Sequence, residues 1–171
     1  MNEPVIVWII DDSDHDARAA WRMVQSVAES HPEGVQIYWG MDFTWDDGPR
    51  LRRQVDNTLP ADVSYHYPDM VILDLCSKTK LGLELQGDTF YYKLREAEQE
   101  KQLPKSFVVL WSAYRERGDT NEFVRRSLDK RVVTVDTKGE EALRQKLLGL
   151  WDRIIEERES RVGRNLAQRR G

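Results

Sequence analysis

The chain has 171 residues, 40% of them hydrophobic and 33% charged, which is enough for one domain with a sizeable core and too apolar for disorder. A formal net charge of −4 does not favour nucleic acid as a partner, and the single cysteine excludes both an intrachain disulfide and a cysteine-based zinc site. No apolar run reaches membrane length and the N-terminus lacks a signal-peptide pattern, so we expect a cytoplasmic protein with no membrane contact.

The first predicted strand, 5–10, is an unbroken apolar run that ends at the acidic pair Asp11 and Asp12. An amphipathic helix is predicted directly after it, because apolar residues recur at spacings of three and four. Ser13 and Asp16 precede this helix with the spacing of a capping box, with Asp in place of Glu. The acidic pair could therefore be ordinary helix-start acids or could form a site.

A second strand, 35–39, is followed by the least readable part of the chain, 40–68, where only a short helix between Leu51 and Leu59 is predicted. The third strand, 70–73, is continuously apolar, as expected of a strand buried on both faces, and ends on the carboxylate of Asp74. Ligands bind at the carboxyl ends of strands in open α/β sheets. The alternative for Asp74 is a cap of a turn or of the next helix.

A loop over 75–87 leads from this strand to a helix that is predicted to be capped by Asp88 or Thr89. The helix is expected to stop before the fourth strand, because a proline follows its polar end. The fourth strand, 107–111, is again an unbroken apolar run, and it ends at Ser112. A third strand end therefore carries a polar group.

The last part of the chain contains a short predicted helix over 121–128, a fifth strand over 132–135 that leads to Lys138, and a long helix from Glu140. An apolar stripe on the long helix predicts packing on the sheet with only the helix end projecting, although the same stripe could mediate a homodimer. Its residues are Leu143, Leu147, Leu150, Trp151, Ile154 and Ile155. The final stretch, 158–171, holds five arginines and one glutamate and is predicted to be a basic tail, either a helix end or disordered.

Strands and helices alternate five times along the chain. This alternation predicts a doubly wound α/β fold, with a five-stranded parallel sheet and helices on both of its faces. Because the carboxyl ends of parallel strands lie on one edge of the sheet, polar residues that follow different strands are expected to converge there. The residues in such positions are Asp11, Asp12, Asp74, Ser112 and Lys138.

The chemistry of these five side chains fits phosphoryl transfer. Clustered carboxylates repel one another unless a cation lies among them, and Mg²⁺ prefers oxygen ligands. A carboxylate can attack phosphorus, while the Lys138 ammonium and the Ser112 hydroxyl can contact the oxygens of the transferred group. Any one of the five could instead be a cap, a turn residue or a solvent-exposed side chain, but their joint occurrence on alternating strands favours a site.

With these residues in place, the chain resembles the receiver domains of two-component response regulators over residues 5–155. The resemblance is carried by four motifs, 9–12 (IIDD), 71–74 (VILD), 110–113 (LWSA) and 137–138 (TK). It implies the flavodoxin-like (βα)5 fold, with a receiver domain over 1–157 and the basic tail over 158–171. We expect a stand-alone regulator that acts through a downstream protein, because no second domain follows.

The resemblance also implies a role for each site residue. Asp74 would accept a phosphoryl group from a histidine kinase or a phosphotransfer protein, and the chain would not be an enzyme beyond self-phosphorylation and slow autodephosphorylation. Mg²⁺ would be bound by Asp11, Asp12, Asp74 and the backbone carbonyl of Cys76. The phosphoryl oxygens would be contacted by the remaining two residues, Ser112 and Lys138.

Departures from the family pattern keep two alternatives open. Ser77 and Lys78 stand where the family has Met-Pro, Gly139 replaces the proline after the lysine, and Val135 replaces the switch aromatic. These differences favour a degenerate receiver that binds a partner protein without phosphorylation. An Mg²⁺ phosphohydrolase with an Asp nucleophile ranks lower, because such enzymes carry the nucleophile on the first strand and have a second Asp where this chain has Cys76.

Overall fold

A computed structural model describes residues 3–11, 13–40, 43–44, 50–51, 67–74, 86–111, 129–135 and 139–170. The strands are β1 (Val5–Ile10), β2 (Val35–Gly40), β3 (Phe43–Thr44), β4 (Arg50–Leu51), β5 (Met70–Leu73), β6 (Phe107–Leu110) and β7 (Val132–Thr134). The helices are α1 (Asp14–Ala28), α2 (Gln86–Glu100) and α3 (Glu140–Arg169). None of these helices is both long enough and apolar enough to cross a membrane.

Five of the strands form one sheet in the order β2-β1-β5-β6-β7, and every neighbouring pair is parallel. This arrangement confirms the predicted fold class, a flavodoxin-like five-stranded parallel sheet. All four residues of β5 and all four of β6 are buried, which explains why these central strands are apolar without alternation. The predicted helices over 52–59 and 121–128 lie outside the described residues.

Helices cover both faces of the sheet, as the alternation predicts. On one face, α1 and α3 pack on side chains such as Val7, Ile9 and Ile72. On the other face, α2 packs on the alternate residues, among them Trp8 and Val71. Each fully buried aliphatic side chain contributes about 1.5–3 kcal/mol through removal of apolar surface from water, so these two layers supply most of the stability.

The apolar stripe of α3 belongs to this core. Leu143 and Leu147 are fully buried, and Leu150, Trp151 and Ile154 are nearly so. The stripe therefore packs on the sheet and on α1, as the simpler prediction has it, and is not available to a second copy of the chain. The helix continues through most of the basic tail, as far as Arg169.

Two local predictions are wrong. The first turn of α2 starts at Gln86, so Asp88 and Thr89 lie inside the helix instead of capping it. Gly87 was predicted to be the last residue of the loop, but it is the second residue of α2. It lies in the first turn, where the backbone N–H groups have no intrahelical partner. Leu51 was placed in a short helix, but it pairs with Phe43 in the antiparallel hairpin of β3 and β4.

Candidate functional site

The carboxyl edge of the sheet brings together two of the predicted site residues. Asp11 follows the last residue of β1, Asp74 follows the last residue of β5, and these last residues, Ile10 and Leu73, are register partners. The Asp74 N–H donates to the Ile10 carbonyl oxygen at 3.0 Å, which extends the ladder past the strand ends. Since paired strands lie about 4.8 Å apart, the two carboxylates start from neighbouring backbone positions.

Asp11 is a buried carboxylate, only 5% exposed, and Asp74 is half-buried. The Ser13 N–H donates to Asp11 Oδ1 at 2.9 Å. This bond orients the Asp11 carboxylate at the end of β1. The geometry thus holds one acidic side chain rigidly beside a second that solvent reaches.

The start of α1 follows the sequence prediction in part. The Asp16 N–H donates to the Ser13 hydroxyl oxygen at 3.3 Å, which confirms Ser13 as the N-cap. In a capping box, the side chain three residues later would accept from the N–H of the cap residue. Here Asp11 accepts that N–H from the strand side, so the predicted role of Asp16 in the box is wrong. Asp11, one of the predicted Mg²⁺ ligands, therefore also organises the first turn of the helix.

The same edge continues across β6 and β7. The Trp111 N–H donates to the Leu73 carbonyl at 3.1 Å, and the Val135 N–H donates to the Leu110 carbonyl at 3.0 Å. Trp111, which is 1% exposed, immediately precedes Ser112 in the sequence. Val135 lies three positions before Lys138. The predicted site residues that lie outside the described parts of the chain are Asp12, Cys76, Ser112 and Lys138.

The described donors fit Mg²⁺, because carboxylate oxygens on adjacent strands are the ligand type that this ion takes. Among the described residues, no three His, Cys, Asp or Glu side chains are grouped as a metal site. Asp11 and Asp74 are two of the four expected ligands, and the other two belong to segments without a described position. The described part of the edge thus offers two carboxylates of the type that the predicted Mg²⁺ site requires.

A polar network at the opposite end of the sheet was not predicted from the sequence. Arg95 Nε donates to Asp129 Oδ2 at 2.8 Å, and Arg95 Nη1 lies 2.8 Å from Glu98 Oε2. The Ser106 N–H donates to Glu98 Oε1 at 2.9 Å, and the Tyr91 hydroxyl donates to Asp129 Oδ2 at 2.8 Å. The only local signal was the i,i+3 spacing of Arg95 and Glu98, which allows an ion pair on one helix face.

The electrostatics of this network follow from its burial. Burial raises the pKa of Asp129, but the hydrogen bonds from the Arg131 N–H and the Tyr91 hydroxyl and the charge of Arg95 outweigh it, so that pKa lies below its ordinary value. Burial and the neighbouring Asp129 carboxylate raise the pKa of Tyr91. The network therefore favours a charged Asp129 and a neutral Tyr91, which is the combination that keeps all its hydrogen bonds.

No known protein family matches the chain, and no curated protein or solved structure matches it either. The positions of Asp11 and Asp74 on a parallel sheet of the order β2-β1-β5-β6-β7 are therefore the structural basis for assigning a function. In that order, both carboxylates lie at the middle of the sheet edge. The central position gives a ligand access to groups on several strands at once.

Proposed function

We propose that the chain is a receiver that accepts a phosphoryl group on Asp74 in an Mg²⁺-dependent step and signals through protein–protein contact. The observation that carries this proposal is the register of Ile10 with Leu73, which sets Asp11 beside Asp74 on neighbouring parallel strands. Asp74 is the more accessible of the two acids and is suited to react, whereas Asp11 is buried and held by the Ser13 N–H.

The proposed reaction is a transfer from a phosphohistidine on a histidine kinase or a phosphotransfer protein. An Asp74 carboxylate oxygen forms a bond to phosphorus as the phosphorus–nitrogen bond to the donor histidine breaks, which leaves an acyl phosphate on Asp74 and the electron pair on the histidine. Bound Mg²⁺ would offset the negative charge of the carboxylates and of the incoming group. The residues proposed to hold it are Asp11, Asp12, Asp74 and the carbonyl of Cys76.

Phosphorylation would leave about −1.5 to −2 charges on the phosphoryl group at neutral pH. Because the Asp74 carboxylate gives up its own charge in forming the acyl phosphate, the charge of this edge would change by about −0.5 to −1. Ser112 and Lys138 are proposed to contact the new phosphoryl oxygens, because a hydroxyl donor and an ammonium both stabilise that charge. In the sequence, Ser112 comes after β6, which neighbours β5, and Lys138 comes after β7, which lies one strand further out. A rearrangement of the segments that carry them is the proposed signal to a downstream protein.

The test is incubation of the protein with Mg²⁺ and acetyl phosphate, followed by intact-mass spectrometry. We expect a gain of one phosphoryl mass, which is absent in Asp74→Asn and absent when EDTA replaces Mg²⁺. Asp152→Asn is the matched control, since its carboxylate is 71% exposed on α3 and should leave the mass gain unchanged. An unmodified wild-type mass under these conditions, or equal labelling of Asp74→Asn, would refute the proposal.

The second candidate is a degenerate receiver that binds a partner without phosphorylation. The favouring observation is that Asp11 is 5% exposed and accepts the Ser13 N–H, so this acid already has a structural role at the start of α1. This candidate predicts no mass gain with acetyl phosphate and no calorimetric binding of Mg²⁺. The two candidates therefore differ in both measurements.

A further inference from the structure

A cavity of about 160 Å³ lies at the amino edge of the sheet, on the opposite side from Asp11 and Asp74. Residues that precede β5, β6 and β7 line it, together with Ile154, Glu157 and Arg161 of α3. We call it the amino-edge cavity, and its charged lining residues are Asp69, Lys105, Arg131, Glu157 and Arg161. It has no part in the function proposed above.

Both carboxylates of the amino-edge cavity are already neutralised by cations of the protein. Arg131 Nη2 donates to both oxygens of Glu157, at 3.0 and 2.9 Å. Asp69 Oδ2 accepts from the Ile6 N–H at 2.8 Å and also from Arg158. Because these acids are satisfied internally, they contribute little negative potential to the cavity.

The cations of the cavity are not matched in the same way. Lys105 is exposed and forms no ion pair with any residue in the described ranges. Arg161 approaches Glu157 only to 3.6 Å, longer than a charge-assisted hydrogen bond, and Glu157 is already bound by Arg131. Arg164 lines the groove that adjoins the cavity and donates to a carbonyl of its own helix. The space therefore has an excess of positive charge.

The helix dipole does not account for this cluster. Cations near a helix C-terminus are stabilised within the last turn, and the basic residue there is Arg169. Arg161 lies two turns earlier in α3, and Lys105 is on the segment before β6. Arg131 is also held in place, since its guanidinium lies 4.6 Å from the ring centroid of Phe107, itself 1% exposed.

We propose that the amino-edge cavity binds a phosphate-sized dianion, either inorganic phosphate or the phosphate group of a small organic molecule. Lys105 and Arg161 provide the charge, and Arg131 forms the fixed wall behind them. Since a water molecule occupies about 30 Å³ of liquid, the cavity is large enough for one phosphate group. The groove lined by Arg164 leaves room for the remainder of an organic phosphate outside the cavity.

The experiment is isothermal titration calorimetry in EDTA with inorganic phosphate and, separately, with glycerol 3-phosphate. EDTA keeps the carboxyl-edge site free of metal, so heat from phosphate bound there is removed. We expect binding of at least one probe to the wild type, and at least about tenfold weaker binding to Lys105→Glu, since a charge that attracted the dianion then repels it. Tighter binding of glycerol 3-phosphate would assign an organic phosphate as the ligand.

Two controls make the result decisive. Lys146→Glu makes the same charge change on an exposed position of α3 outside the cavity, and its affinity should stay within about twofold of wild type. Lys105→Gln removes the charge without adding another and should weaken binding to a lesser degree than Lys105→Glu, with an unchanged circular dichroism spectrum. No heat with either probe at millimolar concentration, or equal weakening by Lys146→Glu, would overturn the proposal.

Discussion

The residue with the clearest thermodynamic role is Asp129, which joins the short segment before β7 to α2. Its side chain accepts hydrogen bonds from Arg95, Tyr91 and the Arg131 N–H. The side chains of the Arg95–Asp129 pair are only 12% and 11% exposed, so solvent screens their interaction weakly. Removal of the Asp129 charge would leave Glu98 to balance Arg95 in this poorly solvated position, and the hydrogen bonds that Asp129 accepts would be weakened.

We predict that Asp129→Asn lowers the free energy of unfolding at pH 7 by about 3 kcal/mol, because Arg95 would lose an anionic partner in a poorly solvated position. Urea denaturation followed by circular dichroism measures the change. Asp152→Asn is the control, with an expected effect of less than about 0.5 kcal/mol at a largely exposed site. Equal stability of Asp129→Asn and wild type would show that the network is not stabilising.

The same residue predicts a dependence on pH. The folded-state pKa of Asp129 is lowered from 3.8, so its contribution is complete above that unfolded value and is lost as the pH falls through the still lower folded pKa. Between neutral pH and about pH 2, wild type should therefore lose more stability than Asp129→Asn. Parallel curves for the two proteins in urea titrations across this range would contradict the assignment.

At this scale, the sequence predicts residues that directly follow buried strands and misses those that meet through tertiary packing. Asp11 and Asp74 could be located because each ends an unbroken apolar run. Asp129 reaches Arg95 across a separation of 34 residues, and no periodicity in either segment encodes that contact. The buried role of Glu98 was hidden for the same reason, since it lies in a polar stretch at the end of α2.

At the scale of the element, α2 ends in a Schellman motif. The Leu103 N–H donates to the Glu98 carbonyl at 2.8 Å, and the Gln102 N–H donates to the Gln99 carbonyl at 3.3 Å. Gln102 has a φ of 53°, the left-handed conformation that glycine usually provides at this position. Pro104 correctly predicted where the helix stops, but the absence of a glycine hid the type of cap.

We predict that Gln102→Gly raises the free energy of unfolding by about 0.5–1 kcal/mol, because relief of left-handed strain exceeds the entropy that glycine adds to the unfolded chain. Chemical denaturation measures the change. Gln102→Ala is the matched comparison, since alanine keeps the strain and should give no such gain. Destabilisation by glycine would mean that the Gln102 side chain itself stabilises the turn.

The packing of α3 gives a second prediction for an element. Leu147 is 0% exposed within the core shared with α1, whereas Leu166 on the same helix is 52% exposed. Leu147→Ala should therefore cost about 2–5 kcal/mol through lost burial and a residual cavity, and Leu166→Ala less than about 0.5 kcal/mol. Thermal and urea unfolding of both variants test this difference, and similar costs would argue against the placement of the stripe.

At the scale of the whole molecule, the fold class could be predicted because buried strands and amphipathic helices leave a strong alternating pattern. The strand order agrees with the flavodoxin-like fold that the resemblance to receiver domains implies. The β3–β4 hairpin could not be predicted, because strands of two residues are too short to carry a period. The amino-edge cavity also escaped prediction, since its lining comes from four separate segments.

The two edges of the sheet thus have different electrostatic characters. Carboxylates follow the strands at the carboxyl edge, and an excess of cations lies at the amino edge. β5 has only four residues, so the edges are separated by about 13 Å of strand. A ligand at one edge cannot contact the other directly, and any coupling between the two sites must pass through the sheet or its helices.

Arg158 has a consequence for the order in which the protein can be completed during synthesis. Its guanidinium donates to the carbonyls of Glu3 and Pro4, across separations of 155 and 154 residues, and also binds Asp69. β1 is an inner strand of the sheet, between β2 and β5, yet these bonds at its start cannot form until about 155 further residues have been synthesised. At about 5–20 residues per second, that delay is on the order of ten seconds. The start of β1 must therefore remain in place without the Arg158 hydrogen bonds during that delay.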